Sequence, residues 1–301
     1  MTELNQRILV PTDGTAFANR VLNHVRPLLG ERSEVALLHV YPERVLGDEA
    51  VASRAVARAR SRLERLDALV LRWGAKAKTA VMVGDAADEI LAYARSYEPT
   101  LIAMATHGRG GLDRLVRGSV AESVLRWSTQ PVLLVSSRAL ASRQRKIRRI
   151  LVPLDGSGRS TAALPEARRL ARIHGAELLL LHVVAIPSAS SSPDDAIMTR
   201  TEARGHLEAL SREADGVSSR AVLGTGKPGA AIVRAIEREG ADLVVMSSHG
   251  RSGVARWILG SVAEEVLRGC GCPVLVLRSD RASAKKTAAR RDVRQSADRS
   301  T

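Results

Sequence analysis

Ile8-Leu9-Val10-Pro11-Thr12-Asp13-Gly14-Thr15 opens the chain and returns later as Ile150-Leu151-Val152-Pro153-Leu154-Asp155-Gly156-Ser157. Each copy is a short run of β-branched and leucine residues, stopped by Pro and Gly, with an aspartate at the stop. That pattern fits a buried strand ending in a turn. Other segments repeat outward in the same order. Leu37-Leu38-His39-Val40 recurs as Leu180-Leu181-His182-Val183, and Thr106-His107-Gly108-Arg109 as Ser248-His249-Gly250-Arg251. Gly118-Ser119-Val120-Ala121-Glu122 recurs as Gly260-Ser261-Val262-Ala263-Glu264, and Pro131-Val132-Leu133 as Pro273-Val274-Leu275. The offset is 142 residues at both ends of the series and 143 in its middle. So constant an offset means duplication of a whole domain, and the period is far too long for a solenoid.

Within each copy, apolar runs alternate with helical stretches. Ile8–Pro11, Val35–Val40, Ala77–Val83, Leu101–Ala105 and Val132–Val135 read as strands. Val56, Ala59, Leu63, Leu66, Val70 and Trp73 fall at helical steps with Arg and Glu between them. Alternating strands and helices predict βαβ units on a parallel sheet with both faces covered. Each copy fits five strands and about four helices.

Hydrophobic residues make up 45% of the 301, and aromatics only 2%, so the cores are built from Val, Leu, Ile and Ala. Met1–Arg7 lack the apolar stretch of a secretory signal. The longest apolar run, Leu178–Ile186, is far short of the ~20 residues that span a bilayer. Cys270 and Cys272, one Gly apart, strain a disulfide and cannot hold zinc alone. The expectation is a soluble cytoplasmic protein with inert cysteines and no membrane partner. Of the net charge of +14, six positive charges lie in Ser136–Arg149 and four in the tail from Ser279. Basicity therefore marks a linker and a tail. With no aromatic platform for stacking bases, nucleic acid is not the favoured partner. The expected division is a domain at 1–137, a basic linker at 138–148, a second domain at 149–278 and a disordered basic tail at 279–301.

Ligands of open parallel sheets bind at the carboxyl ends of strands. Asp13 directly follows the first strand. Ala105-Thr106-His107-Gly108 follows the fourth, and nine residues lead on to Gly118-Ser119 and a helix over Val120–Ser128. Ser119 is expected to cap that helix, whose N-terminus offers free N–H groups and partial positive charge. Gly108 and Gly118 let backbone approach a phosphate closely. One such segment reads most simply as a turn. The whole constellation, repeated and each time joined to a strand-end aspartate, points to phosphate binding. Gly224-Thr225-Gly226-Lys227-Pro228-Gly229 matches the dinucleotide pattern but follows a third strand, with no acid about twenty residues on. No Gly-Lys-Ser/Thr loop occurs.

Together these motifs resemble the universal stress protein family, over residues 5 to 278. The nucleotide-binding branch of that family carries Gly-x2-Gly-x9-Gly-Ser/Thr. Ala105 and Ser247 stand here at its first Gly, and the other positions match. The resemblance implies two tandem Rossmann-like α/β domains, each a five-stranded parallel sheet of order 3-2-1-4-5 with helices on both faces. It implies ATP as ligand, with Mg2+ as a candidate counter-ion. Asp13 and Asp155, after Pro11-Thr12 and Pro153, would meet the ribose or adenine side, and Val40 and Val183 would offer backbone groups to adenine. Gly108, Gly118, Ser119 and Val120, and Gly250, Gly260, Ser261 and Val262, would hold phosphates. Arg109 and Arg251 are further phosphate candidates. His107 and His249 fit a structural role better than a general base, and His39 and His182 read as core histidines.

The expected function is a nucleotide-dependent stress-response module with slow or no hydrolysis. A genuine ATPase or kinase-like enzyme is the alternative, distinguished by turnover. A nucleic-acid-associated protein acting through linker and tail is another, distinguished by salt-sensitive DNA retention. In the implied strand order the fifth strand is an edge, and exposed edges invite pairing. The two copies are therefore expected to join through Val132–Val135 and Val274–Leu277 as an intramolecular pseudo-dimer. Nothing in the sequence fixes a further homodimer.

Overall fold

The protein is seen in a computed structural model that describes residues 6–43, 49–106, 119–140, 146–184, 200–213, 216–248 and 260–278. The first copy runs β1 (Arg7–Pro11), α1 (Ala16–Asn19), α2 (Val21–Val25), β2 (Glu34–Tyr41), α3 (Glu49–Leu71), β3 (Lys76–Val83), α4 (Ala86–Tyr97), β4 (Leu101–Ala105), α5 (Ser119–Trp127) and β5 (Val132–Val135). After α6 (Ser137–Leu140) the second runs β6 (Arg149–Pro153), α7 (Leu164–His174), β7 (Glu177–Val184), α8 (Arg200–Arg212), β8 (Ser219–Thr225), α9 (Pro228–Glu239), β9 (Leu243–Ser247), α10 (Ser261–Gly269) and β10 (Val274–Leu277).

All ten strands form one sheet, ordered β3-β2-β1-β4-β5-β10-β9-β6-β7-β8. Each half is parallel and has the 3-2-1-4-5 order. The halves meet in an antiparallel pair in which Leu134 faces Val274, Leu133 faces Leu275 and Val132 faces Val276. Each copy's fifth strand thereby gains a partner on its open side, as edge-strand chemistry favours.

Strand alternation sends successive residues to opposite faces. Ile8 and Val10 enter one core and Leu9 the other. The first core is closed by α2, α3, α7 and α8 through Leu22, Leu63, Leu164 and Leu207. The second is closed by α4, α5, α9 and α10 through Ile90, Val124, Ile232 and Val266. Each core runs unbroken through both copies. In α3 the expected stripe is buried at Ala59, Leu63 and Val70, whereas Trp73 falls in the turn beyond the helix.

The first helix differs between copies because of proline placement. Pro27 comes late, where a helical N–H is needed, and α2 gives way there to a 3-10 turn at Arg26–Leu28. Pro165 sits in the first turn of α7, where that N–H has no helical partner, and α7 runs for 11 residues.

Side-chain contacts repeat the symmetry of the strand join. Ser136 Oγ donates to the Cys270 carbonyl at 3.2 Å, and Arg278 Nη1 donates to the Ser128 carbonyl at 3.5 Å. Arg278 is the counterpart of Ser136, and Cys270 of Ser128, at the same offset of 142. Cys270 and Cys272 are buried free thiols behind this join. Among the described residues no helix is long and apolar enough to cross a membrane.

Candidate functional site

The site is built where β1 and β4 end side by side, and again where β6 and β9 do. The Thr12 N–H still pairs with the Leu38 carbonyl at 2.8 Å, and the Leu154 N–H with Leu181 at 2.7 Å, so each aspartate leaves from the rim of its sheet. The chain then reverses through Gly14 and Gly156, at φ +77 and +81. That left-handed turn suits glycine.

Each carboxylate is aimed by the residue two positions on. Asp13 Oδ1 accepts from the Thr15 N–H at 2.9 Å and from Thr15 Oγ1 at 2.6 Å. Asp155 Oδ1 accepts from Ser157 N and Oγ at 2.9 and 2.6 Å. Thr15 and Ser157 were visible in the repeated motif, yet their role shows only in this geometry. In the first copy Thr12 Oγ1 accepts from the Gly14 N–H at 3.1 Å and donates to Asn19 Oδ1 at 2.8 Å. Leu154 replaces that hydroxyl in the second copy and sinks into the core.

Beside each aspartate stands the end of the neighbouring strand. Val40 and Val183 are the penultimate residues of β2 and β7, both half-buried. Ala105 ends β4 half-buried, and Ser247 ends β9 buried. His39 and His182 are both buried in their strands, and His182 Nδ1 lies 2.9 Å from the Leu154 carbonyl.

The helix that follows the fourth strand begins differently from the sequence expectation. In the second copy Gly260, at φ −57 and ψ 149, is the capping residue, with no side-chain cap, and Ser261 is the first helical residue. Ser119 likewise is the first residue of α5. The extended glycine takes the cap position, and both serine side chains are exposed at the helix start. Val120 and Val262 come next, half-buried. A Cβ built on Gly260 would lie 3.7 Å from the Ser248 carbonyl, its nearest contact among the described residues. Among the described residues, ordinary van der Waals contact is all that a side chain there would make, and its backbone at φ −57 is one that any residue adopts. His107, Gly108, Arg109 and Gly118, with His249, Gly250 and Arg251, lie outside the described residues.

The opposite end of the sheet is closed by charge, which sequence patterning missed. In the first copy Lys78 Nζ reaches Glu34 at 3.1 Å, and the Arg7 guanidinium lies 4.5 Å from the Tyr97 ring centre. In the second, Arg220 bridges Glu177 at 3.0 Å and Glu239 at 2.8 Å, while Arg238 holds Glu239 at 2.7 Å. The Arg220 hydrogen bond holds the Glu239 carboxyl below the usual carboxylate range against its partial burial, with help from Arg238. The end that carries the Asp13 and Asp155 turns is thus the one suited to a ligand.

The profile of the Universal stress protein family matches residues 5–136 and again residues 146–278. A universal stress protein of Methanocaldococcus jannaschii is 32% identical over 139 residues, which cover 44% of this chain and 82% of that protein. One from Mycobacterium tuberculosis is 31% identical over 191 residues, 61% of this chain and 63% of that protein. Among solved structures, a universal stress protein from Archaeoglobus fulgidus is similar with a TM-score of 0.71 at 25% identity, covering 93% of this chain and 99% of that one.

Proposed function

We propose, from the premise that the chain belongs to the universal stress protein family, that it is an ATP-binding regulatory module with one nucleotide site in each copy. The observation that carries this reading is the repeated rim. In both copies a carboxylate fixed by the hydroxyl two residues on stands at the end of the first strand, next to the end of the fourth. Gly260 as the capping residue of α10 fits a phosphate group meeting the first N–H groups of a helix. Asp13 and Asp155 would hold the ribose or adenine side. Ser119 and Val120, and Gly260, Ser261 and Val262, would receive the phosphates, with Gly108, Gly118 and Gly250 completing the cradle. ATP would enter with Mg2+ as counter-ion.

Slow or absent hydrolysis belongs to the same reading. No nucleophile–base pair accompanies either site in the motif set, so occupancy would be the signal. The two domains, 1–137 and 149–278, with the basic linker 138–148 between them, would act as one cytoplasmic unit. The experiment is ATP binding together with turnover on the same preparation. Saturable binding with turnover well under ~10 s⁻¹, a typical enzyme rate, supports the reading. Turnover at or above that rate makes the protein an enzyme instead.

A further inference from the structure

The two sites are not equal, and the difference lies on a helix outside the repeated motif. Arg62 projects from α3 onto the Asp13–Gly14 turn. A Cβ built on Gly14 would lie 3.3 Å from Arg62 Nη1, 3.4 Å from its Cδ and 3.6 Å from His39 Cε1. Arg62 is itself exposed to solvent. The helix is tied down near this point, because Tyr41 Oη donates to the Ala55 carbonyl of α3 at 3.0 Å. The Tyr41 ring in turn packs edge-on against His39, with centres 4.5 Å apart.

Among the described residues, the second copy carries different side chains at the positions of Arg62 and Tyr41. Ala59 and Leu63 of α3, and Ala203 and Leu207 of α8, are the matching buried pairs, and both leucines enter the same core. His206 therefore occupies the helical position of Arg62. Val184 stands at the end of its strand where Tyr41 stands.

We infer that Arg62 is a ligand-contacting, specificity-determining residue of the first site only, its guanidinium plane covering the purine ring of a bound adenine nucleotide. This rests on the nucleotide reading above. The strand order assigns the contact. Arg62 belongs to the helix packed on β2 and β3, whereas the Gly-Ser cradle follows β4, on the other side of β1. The guanidinium thus borders the Asp13–Val40 end, away from the phosphates. A planar cation over an aromatic face is attractive, and arginine stacks where lysine does not.

The test is calorimetry of the full chain with ATP, AMP and adenosine, for the unsubstituted protein and for Arg62→Ala and Arg62→Lys. Both substitutions fall on an exposed position and leave the fold intact. The expected result is that one of the two sites weakens about three- to tenfold, by the same factor for all three ligands, and that lysine does not restore it. The second site should be unchanged. A loss confined to ATP, restored by lysine, would make Arg62 a phosphate contact and overturn the inference. So would unchanged binding at both sites. If the unsubstituted protein binds none of the three, the nucleotide reading itself fails, a result separate from any effect of Arg62.

Discussion

Leu133 of β5 and Leu275 of β10 face each other across the antiparallel join, and each is the other's counterpart in the duplication. A pseudo-two-fold axis therefore passes through this pair. Both side chains lie in the same core, while their neighbours Val132, Leu134, Val274 and Val276 fill the core on the other face. A contact suited to two identical domains is here made within one chain. Tethering raises the effective concentration of such a contact to the millimolar range.

A proline at this join should be felt by both copies. Leu275→Pro or Leu134→Pro removes a donor from a strand paired on both sides. The expected loss is at least about 1–3 kcal/mol, the cost of leaving a buried ladder carbonyl without its donor. Urea unfolding followed by near-UV signal should show an earlier midpoint, and splitting of one transition into two would show that the halves had uncoupled. An unchanged midpoint would mean that the pairing adds nothing to stability.

The join was largely legible in the sequence, because a constant repeat offset and an apolar edge strand are local signals. The strands themselves were equally plain, since short runs rich in Val, Leu and Ile alternate with helical stretches. The rest was hidden for a physical reason. Arg62 reaches the site from a helix whose sequence pattern reports only its buried stripe. The Arg220–Glu177–Glu239 network joins residues from two strands and a helix that no spacing rule connects. Ser119 was read as a cap because Ser is the commoner capping residue, whereas it is the first helical residue, and in the second copy the extended Gly260 holds the cap position without a side chain.

Close packing of α9 against α10 gives a second prediction. A Cβ on Gly269 would come within 2.7 Å of Val233 Cγ2 and 3.1 Å of its Cγ1. Gly269→Ala should therefore destabilise the protein by roughly 1–3 kcal/mol through overpacking. Val233→Ala removes both offending methyls, so the double variant should recover part of that loss. A double-mutant cycle in denaturant checks it, and strictly additive effects would count against the contact.

Acid stability follows from Glu239. Its folded-state affinity for protons is lowered by Arg220, so the ionised form is favoured by folding. That stability is fully present above the carboxyl's ordinary range and is lost as pH falls through the lowered folded value. Glu239→Gln should lower stability at neutral pH and flatten the acid limb of the stability profile. An acid limb of unchanged steepness would show that the pair is not linked to folding.

The glycine at the helix start should matter to ligand and not to fold. At φ −57 Gly260 has an ordinary backbone, and its nearest described neighbour would stand 3.7 Å from an added Cβ. Gly118→Ala with Gly260→Ala should keep the melting temperature within a few degrees yet weaken ATP binding by tenfold or more. Parent-like binding in the double variant would remove the phosphates from this position.

The most direct measurement is isothermal titration of the intact chain with ATP, with competition by a fluorescent ATP analogue to confirm the site. The expected result is saturable heat that approaches two ATP per chain, with both sites competed. Absence of heat together with absence of competition would contradict it.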